Sequence, residues 1–131
     1  MTIAAESAAQ SALDVAILTG DWRNTNAEGG IARIVCSPQG DGTMRVRCFG
    51  RSGDDAMQDW GEVDAPLYSF TFESRQAGAF SAVFDLGYEE VRVQANVKAG
   101  VLVVASFNRF KDDSGRSNYF DREFFHRISK G

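Results

Sequence analysis

Asp121 and Glu123, two carboxylates separated by one residue near the end of a chain of 131 residues, carry the best-placed groups for chemistry in this sequence. Side chains of an extended segment alternate between faces, so Tyr119, Asp121, Glu123 and Phe125 share one face and Phe120, Arg122, Phe124 and His126 the other. With the first set turned inward, desolvation raises the carboxyl pKa and makes one of the pair a candidate general acid or base. With the second set inward, Arg122 enters the interior to cover an aromatic ring and the acids are solvated. The preceding loop, from Phe110 to Asn118, is too long to fix the parity, so both arrangements stand at the level of sequence.

The remaining reactive types exclude more than they offer. His126 is the single histidine, which rules out a His-rich metal centre. A zinc site from Cys36, Cys48 and His126 lacks a fourth ligand and the tight Cys-x-x-Cys spacing, and Asp112-Asp113-Ser114-Gly115 lacks the spaced acids and terminal Glu of a calcium loop. The two cysteines read as reduced, buried thiols of a cytoplasmic chain. No phosphate-binding loop or nucleophile elbow occurs, so neither a metal nor a cofactor is expected. A net charge of -4 argues against nucleic acid and anionic membrane as partners, both of which need a basic surface. The first 18 residues lack a basic leader and carry Glu6 and Asp14, so neither a secretory signal nor a membrane span is expected there.

The elements that would position these groups are strands. Tyr68, Phe70 and Phe72 alternate with Ser69, Thr71 and Glu73, and Phe80, Ala82 and Phe84 repeat the pattern. A turn near Gln76 sets Phe72 opposite Phe80, and Leu86-Gly87 as a two-residue turn sets Ala82 opposite Val91. A three-residue loop, Lys98-Ala99-Gly100, then pairs Val97, Ala95, Val93 and Val91 with Val101, Val103, Ala105 and Phe107. Upstream, Gly40-Asp41-Gly42 turns a hairpin that puts Ile34, Cys36, Val46 and Cys48 on one face and Arg33, Arg45 and Arg47 on the other. Asp59 to Val63 forms a short strand ending before a turn at Pro66. Many short strands with frequent turns predict an all-β fold, a small antiparallel up-and-down barrel of about eight strands. Residues 18–131 would form this barrel domain, and residues 1–17, rich in Ala, a short N-terminal helix or tail.

Leu18-Thr19-Gly20-Asp21-Trp22-Arg23-Asn24 resembles the first strand of calycin barrels, where lipocalins carry Gly-x-Trp and avidins Gly-x-Trp-x-Asn. The resemblance implies that Trp22 closes one barrel end under a basic residue of the last strand, here Arg122 or Arg127. It also sets Asn24 at the position of an Asn of the avidin ureido-binding site, although avidins ring their ligand with several Trp and this chain holds Trp22 and Trp60 alone. The segments Asp59-Trp60-Gly61-Glu62 and Gly115 to Phe120 resemble those of an uncharacterised bacterial group.

These features predict a calycin-like barrel that binds a small, mainly apolar molecule, with Phe70, Phe72, Phe80, Phe84 and Phe107 lining an interior pocket and Tyr68 orienting the ligand. A cofactor-independent isomerase or cyclase using Asp121 or Glu123 is the enzymatic alternative. The third reading is a homo-oligomeric interaction barrel that associates through Leu102, Val104, Phe120 and Phe124.

Overall fold

A computed structural model describes residues 13–52 and 56–129. Eight strands follow in order: β1 Gly20–Asn24, β2 Ile31–Pro38, β3 Thr43–Arg51, β4 Met57–Ser69, β5 Ala77–Asp85, β6 Glu89–Lys98, β7 Val101–Phe110 and β8 Tyr119–Ser129. Each pairs antiparallel with its sequence neighbour and β8 returns to β1, which closes an up-and-down barrel. Residues 13–18 form a bridge from Asp14 to Gln76 and a turn rather than a helix, and the rest of the expected N-terminal helix lies outside the described residues.

Period-two alternation fills the barrel. Ile34, Cys36, Val46 and Cys48 point inward as the even-sum pairing of β2 with β3 requires, while Arg33, Arg45 and Arg47 stay on the outer face and meet Asp21, Asp64 and Asp59. Burial pushes the Cys36 thiol up to about 12, the Arg127 charge only partly opposing it, and both cysteines are free. Trp22, Phe80, Phe84 and Phe125 are the largest of the enclosed side chains.

The end nearest residues 13–18 is sealed around Trp22. Its Nε1 donates to the Leu18 carbonyl at 3.0 Å, and the Arg127 guanidinium lies 4.5 Å from the ring centroid while donating to the Ile17 carbonyl. A cation on an indole face, tied to the backbone that the indole also holds, locks the entry segment to β8. Deleting an indole so enclosed costs about 3 to 5 kcal/mol by the scale of large core aromatics. The covering residue is Arg127; Arg122 is exposed on the outer face, which corrects the arrangement with Arg122 inside.

Three registers differ from the sequence expectation. The β5–β6 turn falls on Gly87-Tyr88, with Gly87 at φ 89°, one residue later than expected; Ala82 therefore faces Val93, and the faces are preserved. The β6–β7 turn has two residues, Ala99 and Gly100, both at positive φ, so Lys98 pairs with Val101. That single-residue slip reverses β7: Leu102, Val104, Ser106 and Asn108 face inward and Phe107 outward. β4 runs unbroken through Pro66, whose missing N–H is tolerated because β5 pairs only from Leu67 onward. Its pairing with β5 sets Leu67, not Phe72, opposite Phe80 and turns Tyr68 outward.

Candidate functional site

The barrel end opposite Trp22 is polar. Strands β6 and β7 carry apolar inward residues until their last positions there, where Glu89, Ser106 and Asn108 take over; these are the buried polar side chains among the described residues. Inward alternation on β8 adds Tyr119, Asp121 and Glu123, and β1 adds Asn24.

These groups divide by how well they are satisfied. Glu123 accepts from Asn24 Nδ2 at 3.0 Å and Asn26 Nδ2 at 2.8 Å, and Asn24 also donates to the Ile31 carbonyl at 2.8 Å. Gly29 packs on this knot so closely that a Cβ would stand 2.2 Å from Asn24 Nδ2 and 2.4 Å from Glu123 Oε1. Asn24 and Glu123 therefore pin the 25–30 loop across the mouth, and the amide expected at an avidin-like ligand position is committed to the fold. Asp121 is half-buried, and burial, followed by the Glu123 charge, raises its pKa. Glu89 is 8% exposed, yet its carboxylate accepts no hydrogen bond from any described residue. Burial raises its pKa although the Arg116 charge pulls the other way. The Tyr119 phenol is raised by burial and then by the charges of Glu89 and Asp121.

A cleft of about 140 Å³ opens onto Glu89 and Asn108 and is bounded by Trp60, Tyr88, Tyr119 and Arg51. A bulge sets Trp60 there. Between Asp59 and Glu62 β4 carries one residue more than β3, with Gly61 at φ 89° and its N–H donating to Asp59 Oδ1 at 2.8 Å. The extra residue shifts the alternation, so Trp60 and Val63 both turn inward. The indole lies over Gly50, where a Cβ would meet it at 2.5 Å, and against Phe84 with centroids 5.8 Å apart. The 111–118 loop builds the opposite rim: Asn118 Oδ1 accepts from the Phe110 N–H at 2.9 Å, and the Arg116 guanidinium sits 4.2 Å from the Phe110 centroid and 5.7 Å from that of Tyr88.

The residues expected to line an interior pocket are separated by the fold. Phe80 and Phe84 are core residues, each 1% exposed. Tyr68, Phe70, Phe72 and Phe107 lie outside the barrel. The Tyr68 hydroxyl bonds Ser81 Oγ at 3.1 Å, Phe70 covers Gly78, Phe72 is 96% exposed and Phe107 stacks on Phe120 at 6.0 Å. Leu102 and Val104, expected on an outer association surface, are core residues, and Phe120 and Phe124 are outside. Asp121 and Glu123 do share the inward face of β8. Sequence reasoning passed over Glu89, Asn108, Trp60 and Tyr88. The available signal was Glu89 in phase with Val91 and Val93, a charge at the end of an inward apolar row.

Among the described residues no group of three or more His, Cys, Asp and Glu is arranged to hold a metal ion, and no helix is long and apolar enough to cross a membrane. No protein-family model, curated protein or solved structure matches the chain.

Proposed function

We propose that this barrel binds a small molecule at its polar mouth, one group of the ligand entering the cleft between Trp60, Tyr88 and Tyr119 to meet Glu89 and Asn108. The supporting observation is the open Glu89 carboxylate. The residue is largely enclosed while its carboxylate opens on the cleft, so a ligand that supplies donors there would relieve the desolvation that raises its pKa. Size argues for partial entry. Ligand pockets usually measure about 300 to 1,000 Å³, and the cleft of about 140 Å³ suits a head group with the rest of the molecule on the rim. An apolar ligand deep inside is less favoured, because Trp22, Phe80, Phe84 and Phe125 already occupy the interior.

A screen of small molecules of mixed charge, read by the Trp60 indole and by the Tyr88 and Tyr119 ring signals in NMR, tests this reading. Saturable shifts at those three residues are expected, and ligands that bind only at other surfaces would overturn it. The enzymatic alternative rests on the raised pKa of Asp121, whose half-buried carboxyl stands beside the same mouth and would act as the acid of an isomerase or cyclase. Loss of turnover in Asp121→Asn with ligand affinity retained would favour that reading.

A further inference from the structure

Building on the mouth-binding reading, we propose that the group taken into the cleft is an organic cation, a guanidinium or alkylammonium, held by Glu89 and Asn108 beneath the rings of Trp60, Tyr88 and Tyr119. Glu89 is the observation that points to a ligand: more than nine-tenths buried, facing the cleft, and accepting no hydrogen bond from any described residue. A carboxylate there repels anions and gains most from a cation that is itself desolvated. The walls carry the same preference, because the negative face of an indole or phenol ring attracts guanidinium and ammonium groups. Asn108 adds acceptor capacity: its Nδ2 is directed to Ser106 Oγ and the Tyr119 carbonyl, both at 3.4 Å, which leaves the carboxamide oxygen for a donor.

The rim already displays this chemistry with a group of the chain itself. The Arg116 guanidinium lies over Tyr88 and Phe110 and is neutralised by Asp112 at 2.9 Å. Arg51, the one cation that lines the cleft among the described residues, is the basis of the rival anion reading. Its Nε donates to the Gly29 carbonyl at 3.0 Å, and it is less enclosed than Glu89, so the deeper acid sets the sign of the site. The volume fits as well. About 140 Å³ is the share of roughly five water molecules in the liquid, enough for a planar guanidinium with a methyl group but not for a whole metabolite.

Methylguanidinium, methylurea and acetate form a size-matched cationic, neutral and anionic series for titration of the full chain at one ionic strength. The Trp60 indole N–H reports the mouth and that of Trp22 the sealed end. Methylguanidinium should shift Trp60 saturably and leave Trp22 still, with methylurea at least roughly tenfold weaker, equivalent to about 1.4 kcal/mol. Glu89→Gln keeps shape and deletes the charge, so it should erase that preference. Should it fail to fold, Tyr88→Leu tests the aromatic wall and should weaken methylguanidinium alone. Methylurea or acetate saturating Trp60 as tightly as methylguanidinium would overturn the cation assignment and leave the mouth as the site. Trp60 unmoved by all three, with shifts confined to other surfaces, would overturn both.

Discussion

Glu89 works against the fold at neutral pH. Its carboxyl holds a proton more tightly in the barrel than in the unfolded chain, because burial outweighs the attraction of Arg116. A raised acid contributes stability that is present below its unfolded pKa and is lost as pH rises through the folded value. The other titratable groups that line the cleft with it are Tyr119, Tyr88 and Arg51, and Asp121, whose own raised pKa has the same sign, lies farther along the mouth. Glu89→Gln should therefore melt above the wild type at pH 7, with the gap closing below about pH 4, where both are neutral. Thermal unfolding followed at both pH values gives the comparison, and a variant less stable at pH 7 would show that the carboxylate is paired after all. Trp22 is the opposite case. Its role was legible through the resemblance of the first-strand Gly-x-Trp to calycin barrels, whereas Glu89 stands among ordinary strand residues and acquires its meaning from what surrounds it in space.

Turns decided which strand faces were legible. The β5–β6 turn lies one position later than the sequence predicts yet the faces are kept, since moving a two-residue turn by one changes the register by two. The β6–β7 loop is one residue shorter than the sequence pattern predicts, and this reverses the whole of β7, exchanging Phe107 for Leu102 and Val104 on the inner face. Alternation alone could not arbitrate, because β7 offers apolar residues on both faces from Val101 to Ala105. Backbone cost could not be read from composition either: Ala99 adopts φ 53°, a conformation that Asn or Gly reaches more readily. Ala99→Asn creates an Asn-Gly turn and should stabilise the barrel by about 0.5 to 1 kcal/mol, the range for relieving an unfavourable turn residue. Urea unfolding should show a higher midpoint at unchanged slope; a lower midpoint would mean that the turn is not of this type. The β4 bulge was equally hidden, because the left-handed Gly61 that turns Trp60 inward looks, in sequence, like any glycine within a short strand.

The strands close into a barrel in which β4 meets β5 only through Leu67, Tyr68 and Ser69, whereas β7 and β8 are paired on both sides and offer a partner their outer face alone. The outer face of β7 and β8 is the candidate: Phe107, Phe120, Phe124 and Ile128 are 43%, 67%, 51% and 48% exposed, with the smaller Val103 and Ala105 beside them. We propose that a second copy of the chain covers this strip about a twofold axis, which lays one apolar strip on its equal and satisfies both with a single contact. Magnitudes limit the affinity. Four such side chains, each half-exposed, offer roughly 400 Å², about half of the 800 Å² per partner in a stable interface. Arg122 lies within the strip and would face its own equivalent across the axis, so repulsion weakens the dimer further and salt should strengthen it. Sedimentation equilibrium should therefore find a dimer with a dissociation constant of about tens of micromolar, tightening with added salt, and Phe124→Ser should return the chain to monomer without lowering its melting temperature. Monomer alone at several hundred micromolar (about 50-fold above the lower end of that range) would overturn the proposal, and a dimer that survives Phe124→Ser would move the interface to another face.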